Sequence, residues 1–148
     1  MFTKEEKKII NQAKAILKGH LNQNEFFENP AIVKDYLLTR FAGLEHEVFS
    51  IMFLNNRHRL ISLKEMFRGT IDGASVYPRE IVKEALQQNA AAVILTHNHP
   101  SGDVSPSSAD ERITSRIKNA LELVDVRVID HVIVGIDDTL SFAERGLL

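Results

Sequence analysis

Apolar side chains recur at helical spacing in the first part of the chain. One face collects Ile9, Ile10, Ala13, Ile16 and Leu17. Thr3 followed by Glu6 forms a capping-box pattern just before that face. The pattern predicts a helix over 3–18 that stops at Gly19, followed by a polar linker over 20–29. A second helix is predicted from Pro30, with Ile32, Val33, Tyr36, Leu37 and Phe41 on one side.

From residue 45 onward, short apolar runs alternate with amphipathic stretches. The run 48–54 is rich in β-forming residues and precedes Asn55-Asn56, which predicts a hairpin with a second strand over 59–63. A buried strand is predicted over 91–96, another over 126–134, and a short one near 140–143.

Two more helices are predicted between these strands. One begins at Pro78 and directs Ile81, Val82, Ala85 and Leu86 inward, and the other begins at Ser107 with Ile113, Ile117, Ala120, Leu121 and Val124 on its apolar face. Strands and helices in this order predict an α/β (α+β) domain over 44–148, preceded by a helical segment over 1–43.

Composition narrows the classes of function. The 148 residues carry a net charge of -2, which lacks the whole-chain basic signature of a nucleic-acid-binding protein. The absence of cysteine excludes disulfides, thiolate nucleophiles and cysteine-ligated zinc. The first residues do not resemble a secretory signal, and no apolar run reaches membrane-spanning length. We therefore expect a cytoplasmic protein that does not associate with membranes.

The segment 95–110, LTHNHPSGDVSPSSAD, concentrates the candidate chemistry. His97 and His99 lie two apart at the exit of a predicted strand, where their side chains point the same way and can share a divalent metal. Asp110, in the first turn of the helix predicted from Ser107, is the natural third ligand. Ser107-x-x-Asp110 is equally a helix-capping pattern, and a metal-bound Asp is less free to cap.

The whole motif is similar to a known family signature. His-x-His, seven residues, Ser, two residues and Asp is the spacing of the JAMM (MPN-plus) metallopeptidases. The segments 67–86, 97–110, 127–135 and 141–148 further resemble the RadC family of bacteria. The chain resembles the short, stand-alone RadC-like proteins more than the long ones, which carry a larger N-terminal helical region.

The resemblance implies a fold, a cofactor and a set of site residues. The fold is JAB/MPN, a cytidine-deaminase-like, three-layer arrangement in which helices flank a curved mixed sheet. One zinc ion per chain is bound by His97, His99 and Asp110. Ser107 helps to stabilise a tetrahedral intermediate, and an upstream Glu acts as general acid/base. That Glu is assigned to Glu47, with Glu45 as the alternative.

Three functions follow as expectations. The first is zinc-dependent amide or isopeptide hydrolysis of an unidentified peptide or protein substrate. The second is DNA-repair or mobile-element-associated nucleic-acid processing, to which a local basic stretch could contribute: Arg57, His58, Arg59, Lys64 and Arg68. The third is a non-catalytic assembly module, in which the N-terminal helices pack on the core or on the second subunit of a homodimer. His131 is expected to be a buried, hydrogen-bonded histidine.

Overall fold

The computed structural model describes residues 1–23, 30–70 and 76–148. Its elements are α1 (Lys4–Gln23), α2 (Pro30–Phe41), β1 (Val48–Leu54), β2 (Leu60–Arg68), α3 (Pro78–Gln87), β3 (Ala92–Asn98), α4 (Ser108–Glu122), β4 (Arg127–Val134) and β5 (Thr139–Ser141). This confirms the α/β fold that the sequence pattern predicts. Within the described ranges, no helix has both the length and the apolar character needed to cross a membrane.

The five strands form one mixed sheet in the order β2-β1-β3-β4-β5. Only the β3–β4 pair is parallel, and α4 makes the crossover between these two strands. All residues of β1 and of β3 are buried. Their continuous apolar runs are typical of strands that are covered by helices on both faces.

Helices cover the two faces of the sheet and give three layers. On one face, Val33 and Leu37 of α2 pack with Met52 and Ile94 of the central strands. On the other face, α3 and α4 pack against the alternate strand residues, in a cluster that includes Phe53, Ile81, Leu95 and Ile117. Because successive side chains of a strand point to opposite faces, the same strands contribute residues to two separate hydrophobic cores.

The first helix differs from its prediction at its end. The capping box is confirmed, since Thr3 N donates to Glu6 Oε2 at 2.6 Å and Glu6 N donates to Thr3 Oγ1 at 3.2 Å. The stop at Gly19 is wrong because the helix continues to Gln23. One glycine costs a helix about 1 kcal/mol, which the helix tolerates here. The rest of the predicted linker, 24–29, lies outside the described residues.

Packing explains the remaining differences. Ile9 and Ile16 are 57% and 64% exposed, so the buried side of α1 is narrower than predicted. Leu86 is 56% exposed because α3 buries only the stripe with Ile81 and Ala85. β2 runs to Arg68 rather than residue 63, since it pairs with the whole of β1. β3 continues beyond the predicted end at 96.

Candidate metal centre

Three side chains meet where β3 ends and α4 begins. His97 belongs to the last part of β3, His99 follows the strand directly, and Asp110 lies in the first turn of α4. His97 Nε2 lies 3.0 Å from His99 Nε2 and 3.3 Å from Asp110 Oδ1. His99 Nε2 lies 3.5 Å from Asp110 Oδ2. One ligand atom from each residue thus falls within 4.8 Å of the others, which could hold a metal ion.

The loop 99–107 returns the chain from the strand end to the helix start. It bends at Gly102, whose φ of +87° lies in the left-handed region that favours glycine. It also packs closely on Gly135, just after β4. A Cβ atom at Gly135 would lie 2.8 Å from the carbonyl oxygen of Gly102 and 2.8 Å from Cγ1 of Val104. The absence of a side chain at Gly135 therefore allows the loop to lie where it does.

Asp110 caps its helix and faces the histidines at the same time. Ser107 N donates to Asp110 Oδ2 at 2.8 Å, and Asp110 N donates to Ser107 Oγ at 3.0 Å, which completes a capping box. The other oxygen, Oδ1, is the one nearest His97. Asp110 Oδ2 thus accepts the capping hydrogen bond, while Oδ1 makes no capping bond and could still bind a metal.

A buried chain of hydrogen bonds fixes the orientation of the His97 ring. The Thr114 hydroxyl donates to the Asp110 carbonyl oxygen at 2.6 Å, so its oxygen accepts from His131 Nδ1–H, also at 2.6 Å. Burial holds the pKa of His131 well below its usual range. Neutral His131 therefore accepts, through Nε2, the Nδ1–H of His97 at 2.7 Å. The other ring nitrogen of His97, Nε2, faces Asp110 and His99.

His99 is oriented in the same way by the loop. Its Nδ1–H donates to the carbonyl oxygen of Asp103 at 2.6 Å, so its Nε2 also faces the centre. A hydrogen bond with Asp110 raises the pKa of His99 against the opposing effect of burial. Burial alone would raise the pKa of Asp110, but the His97 and His99 imidazoles hold it well below its usual range.

These protonation states test whether the residues fit a metal. When neither histidine carries a proton on Nε2, two imidazole nitrogens and a carboxylate oxygen converge on one point as acceptors, and a cation placed there relieves their mutual repulsion. In the metal-free protein, the hydrogen bond between His99 and Asp110, which raises the pKa of His99, relieves part of this repulsion. Two imidazoles and one carboxylate are also the donor set of three-ligand zinc sites that leave a fourth position open. The residues therefore fit a divalent metal.

The centre opens into a cavity of about 400 Å³. Glu47, Thr70 and Ser107 line it together with His99 and Asp110. Glu47 precedes Phe49 by two residues, and the Phe49 ring stacks on His97 with 6.0 Å between ring centroids. Glu45 lies past a bend in the chain and lines a different groove. Ser107 accepts a hydrogen bond from Asp110 N, which leaves its own O–H able to donate into the cavity.

The chain matches the RadC-like JAB domain over residues 27–147. It belongs to the RadC-like JAB domain family. The match begins inside the helical segment 1–43, in agreement with the packing of α2 on the sheet. The division at 43/44 stays a prediction.

Relatives named UPF0758 protein cover most of the chain. One from Vibrio cholerae is 56% identical over 97% of this chain and 90% of its own length. One from Nitrosococcus oceani is 58% identical over 89% of this chain and 59% of its own length. One from Methylibium petroleiphilum is 54% identical over 95% of this chain and 63% of its own length. The chain thus spans less than two thirds of the latter two proteins.

Two residues of this RadC-like JAB domain were not predicted from the sequence. Thr114 is a polar residue in the buried stripe of α4, between Ile113 and Ile117. Asn98 is a buried polar residue between the two candidate ligands. A polar residue within a buried stripe or strand is the signal that points to both. His131 is buried and hydrogen-bonded, as expected.

The basic stretch does not form one surface at the centre. The segment 57–59 is in the β1–β2 turn, and it lies about five strand residues, roughly 17 Å, from the end of β1 that pairs with His97. Lys64 forms an ion pair with Glu84 at 2.8 Å, and Arg68 with Glu65 at 2.6 Å. Nucleic-acid binding stays a prediction.

Proposed function

We propose that this protein is a zinc-dependent hydrolase that cleaves an amide or isopeptide bond in a peptide or protein substrate. One observation carries the proposal. His97 Nε2, His99 Nε2 and a carboxylate oxygen of Asp110 converge beside a cavity that is also lined by Glu47 and Ser107. A metal held there leaves room for a substrate carbonyl on the cavity side.

The donor set favours zinc as the metal. Neutral imidazoles with one carboxylate suit zinc better than the hard cations Mg²⁺ and Ca²⁺, which prefer oxygen ligands alone. Bound at this point, zinc would polarise a carbonyl and lower the pKa of a coordinated water molecule toward neutrality. One ion per chain is expected, because the three residues supply one set of ligands.

Two side chains beside the proposed metal position would carry out the other steps of hydrolysis. The Glu47 carboxylate takes a proton from the attacking water and later delivers it to the leaving amine. The Ser107 hydroxyl donates a hydrogen bond to the oxyanion that develops on the former carbonyl oxygen. The capping box keeps this hydroxyl in place, since Ser107 Oγ is also bonded to Asp110 N.

Metal analysis tests the zinc half of the proposal. Protein purified without chelator should contain about one zinc per chain, and His97→Ala should contain far less. Asp110→Asn is the better variant of the third ligand, since the amide oxygen still accepts from Ser107 N and keeps the cap. Equal zinc in all three proteins would overturn the proposal.

Glu47→Gln tests the hydrolytic half. The variant should retain zinc but lose cleavage of a peptide library that contains α-linked and lysine ε-linked amides. Glu45→Gln is the matched control and should retain cleavage, because Glu45 lies outside the cavity. Full activity in Glu47→Gln would remove the acid/base role from that residue.

A further inference from the structure

Asn98 makes two hydrogen bonds to the segment that precedes β1. Its Oδ1 accepts from Val48 N–H at 2.7 Å, and its Nδ2 donates to the carbonyl oxygen of His46 at 3.0 Å. The side chain is only 3% exposed. His97, one residue earlier on the same strand, points to the opposite face.

Both hydrogen bonds go to the peptide groups that flank Glu47. The backbone pairing between β1 and β3 extends to Phe49 and His97, and the Asn98 carboxamide continues the pairing past that point. On the other side, Gly69 N–H donates to the Glu47 carbonyl oxygen at 2.9 Å. The backbone of Glu47 is thus held from both neighbouring strands.

We propose that Asn98 is a positioning residue that holds the Glu47 carboxylate beside the metal centre. The proposal rests on the proposed function, because it assumes that Glu47 moves the proton. The three residues 97–99 then have different roles. His97 and His99 provide metal ligands, while Asn98 sets the position of the acid/base relative to them through the same strand.

The chemistry of the carboxamide suits this role. It offers an acceptor and a donor from one planar group, which is what an N–H and a carbonyl two residues apart require. An aspartate keeps the acceptor for Val48 N–H but sets a negative charge against the His46 carbonyl. An alanine leaves both peptide groups without partners inside the protein.

A double-mutant cycle tests the proposal. Asn98→Ala should keep zinc and KM while kcat falls on the order of 100-fold, as expected when a reacting group shifts by about 1 Å. Asn98→Asp should also lower kcat, because the buried carboxylate keeps the bond from Val48 N–H but repels the His46 carbonyl oxygen. In a Glu47→Gln background, Asn98→Ala should cause no further loss, because the group that it positions is already inactive.

Two measurements separate positioning from general damage to the fold. Amide exchange should accelerate at Val48 in Asn98→Ala but not at Ile51, in the middle of β1. Thr96→Val is the matched control, since it replaces a buried polar residue on the same strand and face that has no hydrogen-bond partner among the described residues. It should leave zinc content and kcat unchanged.

The outcomes distinguish this proposal from the proposed function. Zinc binding and hydrolysis by the wild-type protein test the function by themselves, before any Asn98 variant is made. If the wild type is active and Asn98→Ala matches it, the positioning role is wrong while the function stands. Equal losses of kcat in the wild-type and Glu47→Gln backgrounds, or loss of zinc from Asn98→Ala, would also overturn the positioning role.

Discussion

His97 Nδ1 lies 2.7 Å from His131 Nε2, deep inside the sheet–helix core. Through Thr114, this contact connects the first candidate ligand, His97, to the backbone carbonyl of the third, Asp110. Two candidate ligands from different elements are therefore joined by the protein itself, independently of any metal. Such partners behind a ligating histidine fix its tautomer and its ring orientation.

Thr114→Val should weaken zinc binding by about 10- to 100-fold, the usual effect of removing such a partner. Valine keeps the shape of the side chain but accepts no hydrogen bond from His131, so the orientation of His97 is lost. Competition with a chromogenic chelator measures the affinity. Thr39→Val is the control, because the Thr39 hydroxyl makes the same bond to a carbonyl four residues earlier, at 2.8 Å, on α2. Unchanged affinity in Thr114→Val would contradict the hydrogen-bond chain.

The metal-free protein should lose stability as the pH rises above about 6.5. The folded state raises the pKa of His99, chiefly through the hydrogen bond with Asp110. Protonated His99 therefore stabilises the folded state fully below the unfolded-state pKa of about 6.5. This contribution disappears as the pH rises through the folded-state pKa. Zinc takes the place of that proton, so zinc affinity should increase over the same range.

Melting temperatures of chelator-treated and zinc-loaded protein between about pH 6.5 and 9 check this expectation. In the metal-free protein, His99→Gln should make the melting temperature depend less on pH. A metal-free protein that becomes more stable across this range would contradict it.

Gly135→Ala should destabilise the protein by about 1–3 kcal/mol and weaken zinc binding. The added Cβ would lie 2.8 Å from the Gly102 carbonyl oxygen, so the loop that orients His99 has to move. Chemical denaturation measures the first effect and metal titration the second. Gly19→Ala is the control of opposite sign: it meets nothing within 4 Å and should add up to about 1 kcal/mol to helix α1.

Thr96→Val should stabilise the protein by about 1 kcal/mol. The Thr96 hydroxyl is buried in β3 and has no hydrogen-bond partner within the described part of the chain, so its desolvation is not compensated. The free energy of unfolding from urea titration provides the measurement. Thr114→Val is the contrasting variant and should lower the free energy of unfolding, because the Thr114 hydroxyl has hydrogen-bond partners. A loss of stability in Thr96→Val would instead indicate that the Thr96 hydroxyl has a partner.

The parts of this protein that depend on local pattern were predictable. β1 is a continuous apolar run, β3 begins with one, and the three candidate ligands lie within one short segment. The assignment of the acid/base to Glu47 rather than Glu45 stays a prediction. The sequence could not show that the two side chains line different cavities, because the alternation of side chains fails where the chain bends at residues 45–46. Asn98 was missed for a related reason: its partner Val48 is 50 residues away, at a distance that no local pattern encodes.

The capping box at the start of α4 bears on which residues the relatives of this protein are expected to retain. Asp110 closes the first turn of the helix through contacts within the protein alone, and loss of such a cap costs about 1 kcal/mol. His99, half-buried at the edge of the cavity, has no comparable role in a helix. We therefore expect that a relative without metal chemistry would retain the aspartate at this position more readily than the second histidine.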